Sequence, residues 1–319
     1  MSSTNLNTKI SGEYNLVVTH GDGSRTETGW FSNLILNTGL DILGQSYPYE
    51  TSGYGNQRLA AIGTGTSAPA PTQTGLETYV ASSNATWSPD AITITNAGSP
   101  TFATTQTFMY AFAQGAVVGN MTEIGTGPVV GWPGPINNNR LFSRALILDG
   151  SGNPTTLTLT SIDQLTVYYK VTISPPLTDT TGSVVLAGTT YNYTARIYNA
   201  AGWCTRGDSI VYGDIWASIA NVWGWGPGAT LSAVDGAGIT GADSYGGGNV
   251  NSPGYITGTF YRDMNISFTP GQGNGAGGIQ GINFITPNAS KSFQVVFDNP
   301  IPKDNTKTLN LTFRQSWSV

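Results

Sequence analysis

Very few side chains on this chain can carry reaction chemistry. In 319 residues there is one histidine, His20, and one cysteine, Cys204. A Ser-His-Asp relay would have to use His20, which ends an alternating run just before the turn Gly21-Asp22-Gly23. No G-x-S-x-G elbow presents a serine to it, so a solvated turn histidine is the better account. Cys204 alone can form neither an intrachain disulfide nor a thiolate metal site, and reads as a small buried apolar residue. Asp149-Gly150-Ser151-Gly152-Asn153 begins like a calcium loop, but Pro154 stands where the sharp-turn glycine belongs and Thr160 where the bidentate carboxylate belongs. A hairpin turn explains it better. The glycine-rich run after Pro270 lacks the Lys-Ser/Thr ending of a phosphate loop. The expectation is a protein that is not an enzyme and holds no metal or cofactor.

The residues that spacing does group together are aromatic. Trp203, Trp216, Trp223 and Trp225 fall between Ala201 and Gly226, with Asp208, Asp214, Asp235 and Asp243 nearby and Tyr245 and Tyr255 following. Exposed indoles stack on sugar rings, and two carboxylates across a cleft would suffice for glycoside hydrolysis. The same aromatics anchor subunit interfaces or fill cores. Core, interface and glycan binding all stay open for these six aromatic residues, and hydrolysis is a small part of the last.

The elements that must position them are strands. Leu165, Val167, Tyr169, Val171 and Ile173 alternate with polar residues, the period of a strand with one buried face. Leu141 to Asp149 and Thr155 to Thr160 flank the 149–154 turn as a hairpin feeding that strand. Tyr14, Leu16 and Val18 mark a first strand that turns back at 21–23. Asn37 or Thr38 is placed to cap a short helix ended by Gly44. Further strands are expected at 58–64, 76–81, 91–95 and 104–113, and the I-G-T-G at Ile62 recurs at Ile124 as a similar strand end or by chance. Beyond Ser174-Pro175-Pro176, strands are expected at 183–186, 190–198, 256–268, around 293–297 and 309–317. Asp214 to Trp223 reads as an amphipathic helix stopped by Gly224, inside an irregular Gly/Trp-rich insertion at about 200–252, and the glycines of 271–281 read as a connection. The fold expected is all-β: two antiparallel β-sandwich or jelly-roll-like domains, 1–176 and 177–319, with one or two short helices.

Composition narrows the function classes. Charged residues are 10% and the formal net charge is −5, which leaves no basic field for nucleic acid. No run approaches a membrane span, and M-S-S-T-N-L-N-T-K-I lacks the apolar core of a secretory signal, so synthesis in a cytoplasm without a signal peptide is expected.

Several segments resemble tailed-bacteriophage virion proteins of the tail-fibre or minor structural type. They are E-I-G-T-G from Glu123, R-L-F-S-R-A-L-I-L-D from Arg140, G-N-P-T-T from Gly152 and D-Q-L-T-V-Y-Y from Asp163. Two longer stretches join them, W-F-S-N-L-I-L-N-T-G-L-D-I-L-G from Trp30 with I-G-T-G-T-S-A-P-A-P-T-Q-T-G-L-E from Ile62, and I-P-K-D-N-T-K-T-L-N-L-T-F-R-Q-S-W from Ile301. The resemblance implies a structural part of a virion (tail, neck or fibre) and no catalytic residues. The partners expected are further copies of the chain in a closed homo-oligomer and other virion proteins. The alternative is a host-surface glycan-binding protein that uses the Trp-rich insertion.

Overall fold

The computed structural model describes residues 4–44, 57, 59–86, 92–93, 104–128, 140–174, 176–198, 221–234, 236–251, 253–285 and 292–319. The described residues are mostly β, with 55% in strands and one short helix. The first elements are β1 (Thr4–Thr19), β2 (Arg25–Glu27), β3 (Phe31–Ser32), β4 (Leu34–Ile35), α1 (Asn37–Gly44), β5 (Leu59–Gly63), β6 (Tyr79–Thr86) and β7 (Ile92–Thr93). Then come β8 (Thr104–Ala111), β9 (Gly119–Met121), β10 (Glu123–Gly127), β11 (Ser143–Leu146), β12 (Leu157–Leu159) and β13 (Gln164–Ser174). After the prolines follow β14 (Thr180–Leu186), β15 (Thr189–Tyr198), β16 (Asn221–Trp225), β17 (Ser244–Asn251), β18 (Tyr261–Phe268), β19 (Ile279–Ile285), β20 (Ser292–Ile301) and β21 (Leu309–Ser318).

β1 organises the topology. Its residues Lys9 to Thr19 pair antiparallel with β13, while Thr4 to Lys9 pair parallel with β21, the last strand. From β13 the ladder continues to β8; from β21 it continues through β18 to β17. β17 turns the sheet, pairing also with β16, from which β19, β20, β15 and β14 follow. At the opposite end β6 passes from β8 to β5, then to β10, β11 and β4. These strands form one curled 19-stranded sheet, and β9 and β12 form a separate two-stranded ribbon.

Alternation decides what the sheet buries. β13 alternates strictly between buried and half-buried positions, as its sequence requires. Tyr14, Leu16, Val167, Tyr169, Phe108 and Tyr110 from the β1–β13–β8 layer share one core with Ile62, Ile124 and Ala145 from β5, β10 and β11. Ile266, Phe268, Ile282, Phe284, Val295, Phe297, Leu311 and Phe313 from β18 to β21 belong to a second core, to which β14, β15 and β16 also contribute. Trp317 crosses the pattern. It lies on the last strand, is 2% exposed, and joins the first core. Its indole N–H donates to the Leu40 carbonyl at 2.8 Å, and Tyr255 lies against its ring with centroids 5.6 Å apart.

The structure departs from the sequence reading in several places. Trp223 is not the end of a helix: 221–225 is a strand, with Val222 buried in the core and Trp223 facing out, because β17 and β19 pair with it on both sides. The rest of the expected 214–223 helix lies outside the described residues. Part of the insertion is regular, since β16 and β17 both fall within 200–252. β19 starts at Ile279, inside the run read as a glycine connection, and Gly281 is central to it because Ile239 and Ala229 press where its side chain would be. The 149–154 turn is tight, with a bridge between Leu148 and Pro154, but β12 then leaves β11 to pair with β9. Thr38 does not cap the helix; its hydroxyl donates to the Leu141 carbonyl. Phe260, expected within a strand, has a φ of 51°, a left-handed backbone held by the Tyr255 hydroxyl at its N–H and the Trp317 N–H at its carbonyl.

Because Trp317 is the last strand's plug in the first core, Trp317→Ala is expected to cost about 3–5 kcal/mol of stability in denaturant unfolding. A loss below about 1 kcal/mol would show that the first core closes without it.

Candidate functional site

Three polar constellations lie in or against the first core. The deepest is an ion pair. Glu123 and Arg144 are both fully buried, and Arg144 Nε donates to Glu123 Oε2 at 2.9 Å. The carboxylate also accepts the N–H groups of Gly65 at 2.9 Å, Thr78 at 2.7 Å and Glu77 at 3.0 Å. Arg144 Nη1 donates to Gln73 Oε1 at 2.8 Å, and Nη2 faces the Glu77 carboxylate at 3.7 Å. Glu77 in turn accepts the N–H groups of Thr66 and Ser67, chiefly the latter, which hold its carboxyl below the usual range. The node thus pins the 64–78 loop over strands β5, β10 and β11.

The glycines of the repeated I-G-T-G segments make the node possible. A Cβ at Gly63 would fall 2.7 Å from Glu123 Oε1, and one at Gly65 would fall 2.4 Å from it. In the second copy, a Cβ at Gly125 would lie 2.8 Å from the Ser143 carbonyl. The two copies are neighbours, with Ile62 directly opposite Ile124. The polar groups of this node point at protein, so its chemistry is cohesion.

The second constellation is a hydroxyl cluster. Tyr14 Oη is 2.7 Å from Ser143 Oγ and donates to Thr126 Oγ1 at 3.1 Å, Thr126 and Ser143 are 2.9 Å apart, and Asn33 Nδ2 donates to Tyr169 Oη at 3.2 Å. Burial pushes the Tyr169 phenol up to about 12, and burial together with the neighbouring Tyr169 pushes Tyr14 up as well.

The third is the His20 site. Nδ1 lies 3.1 Å from Asp163 Oδ1 and Nε2 lies 2.9 Å from Thr26 Oγ1. The N–H and hydroxyl of Thr160 both donate to Asp163 Oδ2, and these bonds hold that carboxyl below its usual range. The order hydroxyl, imidazole, carboxylate is that of a relay. Its visible effect is to tie the β1–β2 hairpin to the start of β13. Asp149 Oδ1 accepts the N–H groups of Ser151 and Asn153, which makes the 149–153 segment a side-chain-closed hairpin turn. Among the described residues no cluster of three or more His, Cys, Asp or Glu side chains is placed to hold a metal ion.

Four of the six aromatic residues singled out by sequence, Trp223, Trp225, Tyr245 and Tyr255, are described. Trp203 and Trp216 lie outside the described residues, as do Asp208, Asp214 and Asp235. Tyr255 is a clamp: its hydroxyl donates to Asp41 Oδ1 at 2.6 Å, and its ring packs where a Cβ on Gly44 would sit. Tyr245 donates to the Ala276 carbonyl at 2.9 Å and covers Gly226 and Gly275. Trp225 is half-buried, with its Nε1 buried and without a partner among the described residues. Trp223 differs from all of these, being 39% exposed on the outer face of β16.

That outer face carries residues that spacing alone did not single out. In β18 and β21, Met264, Ile266, Phe268, Leu309, Leu311 and Phe313 point into the core, so Asp263, Asn265, Ser267, Asn310, Thr312 and Arg314 line the opposite side. The polar members of those same alternating runs were the available signal. No protein-family model, no curated protein and no solved structure matches this chain.

Glu123→Gln is expected to lower stability by about 3–5 kcal/mol in denaturant unfolding, because it strands a buried guanidinium. Adding Arg144→Met should recover part of that loss. A second expectation concerns alkali. A phenol whose folded pKa is raised above its unfolded value of about 10 stabilises the fold below that pH and loses the contribution as pH rises through the folded value. Stability should therefore fall between pH 10 and 12, and Tyr169→Phe should flatten that slope in pH-dependent chemical denaturation.

Proposed function

We propose that this protein is a structural component of a tailed-phage virion, acting through assembly with copies of itself and with other virion proteins. The observation that carries the reading is a charge-poor all-β body. Charged residues are 10% of the chain, against about 25% in ordinary soluble domains. Some of those few are spent inside, as Glu123, Arg144, Asp163 and Lys303 are buried. The surface left over is sparse in charge and carries large apolar side chains at Val185, Ile256, Ile162 and Trp30, which suits packing against other protein better than open solvent. The resemblance of the E-I-G-T-G, R-L-F-S-R-A-L-I-L-D and flanking segments supports the same reading. The E-I-G-T-G and R-L-F-S-R-A-L-I-L-D segments meet at the Glu123–Arg144 ion pair, a cohesive element that suits a scaffold. The architecture read with it is two sandwich-like units, 1–176 and 177–319, held together by β1.

Light scattering on the purified full chain tests the self-assembly part. A closed oligomer of fixed stoichiometry is expected. A monomer whose mass does not change with concentration would remove it. Antiserum raised against the purified protein should also label intact particles, and unlabelled particles would count against a virion location.

A further inference from the structure

The outer face of β16, β17, β18 and β21 has an unusual composition. Asparagine is a poor strand former, yet Asn249, Asn251, Asn265 and Asn310 all stand on it. Their inward neighbours settle the orientation: Val250, Ile266, Leu309 and Leu311 pack in the second core, and a Cβ on Gly248 would press on Phe268. The rows run straight across the strands, Asn251 opposite Asn265 opposite Thr312, and Asn249 opposite Ser267 opposite Asn310. Neighbours orient the amides. Thr312 Oγ1 donates to Asn265 Oδ1 at 2.9 Å, and Asn249 Nδ2 donates to Gln272 Oε1 at 3.2 Å. The charges at the edge of the array cancel, with Arg314 bidentate on Asp263 at 2.8 and 2.9 Å.

Trp223 borders this array across β17, in register with Gly247. Gly247 has no side chain, and among the described residues a Cβ there would meet only the Val222 carbonyl at 3.5 Å, so none of them fills the strip beside the indole. Two other aromatics on outer faces are occupied: Lys170 Nζ lies 3.6 Å over Trp30, and the Arg314 guanidinium lies 3.5 Å over Tyr261. Among the described residues, no cation or ring stacks on Trp223.

We propose that this face binds a neutral polysaccharide, with Trp223 as the stacking platform and the amide rows of β17, β18 and β21 reading the hydroxyls. The chemistry matches in each respect. An indole offers a flat apolar face to the C–H side of a sugar ring. A primary amide both donates and accepts, as a pair of adjacent sugar hydroxyls does. Strands about 4.8 Å apart repeat the amides at a spacing close to one hexose unit. The neutral array offers no net charge to attract a sulfated or carboxylated glycan.

The test is affinity electrophoresis of the full chain through gels containing dextran, laminarin, galactomannan or hydroxyethyl cellulose, with dextran sulfate as the anionic probe. At least one neutral polymer should retard the protein. Trp223→Ala and Asn251→Ala should each weaken that retardation about tenfold, the effect of removing one stacking ring or one neutral hydrogen-bonding group, while Trp30→Ala leaves it unchanged. Equal melting temperatures for the variants keep the comparison one of binding. Retardation by no neutral polymer, retardation by dextran sulfate alone, or undiminished retardation of Trp223→Ala would each overturn the proposal. It stands apart from the assembly reading, since an oligomer that ignores every polymer upholds that reading and ends this one, and a binding monomer does the reverse.

Discussion

The structure depends on β1 serving two ladders at once. A strand of 16 residues spans roughly 50 Å, enough to pair with β13 along one part and with β21 along the other. The pairing with β21 is parallel and joins the first strand to the last, a connection no hairpin can make. Trp317 rides on that ladder into the core of the first half, and Tyr255 closes over it from the loop before β18. The two cores therefore share a seam built from both ends of the chain. Pairings of such sequence separation cost loop-closure entropy before they return any energy, which makes late closure of this seam the natural order of folding.

Within the first half, cohesion comes from a buried charge that is fully supplied with donors. A carboxylate at zero exposure is tolerable only because three backbone N–H groups and a guanidinium surround it. Those backbone groups belong to an irregular loop, which would otherwise bury unsatisfied donors. The ion pair and the loop solve each other's problem. The glycines at 63 and 65 are the geometric condition, since any side chain there would occupy the carboxylate's position.

The outer surface of the curled sheet differs on the two sides of β1. Around β13 the outer face mixes Tyr168, Lys170 and Glu13 with the lysine-capped Trp30. Around β18 it is a neutral field of amides and hydroxyls bordered by an open indole. A low charge density serves both roles proposed for the molecule, because neighbouring subunits and neutral glycans alike are met without stripping water from unpaired ions.

Much of this was legible in the residues. Alternation of period 2 set β1 and β13 and named their inward side chains, and the same pattern placed β8, β18, β20 and β21, because that signal is local to the strand. The Asn37–Gly44 helix and the 149–154 turn were legible for the same reason. β16, β17 and β19 were not. Their glycines and tryptophans carry no periodic signature, and only pairing with flanking strands makes 221–225 extended and gives Gly281 a place inside a strand. That Glu123 would find Arg144 beneath a loop, that Ile62 would face Ile124, and that Trp317 would cross into the other core were likewise decided by the tertiary structure. By itself the sequence determined the β class, the faces of its periodic strands and the scarcity of charge; which strands meet, and so which polar residues become cohesion and which become surface, depended on pairings between distant segments that no local pattern records.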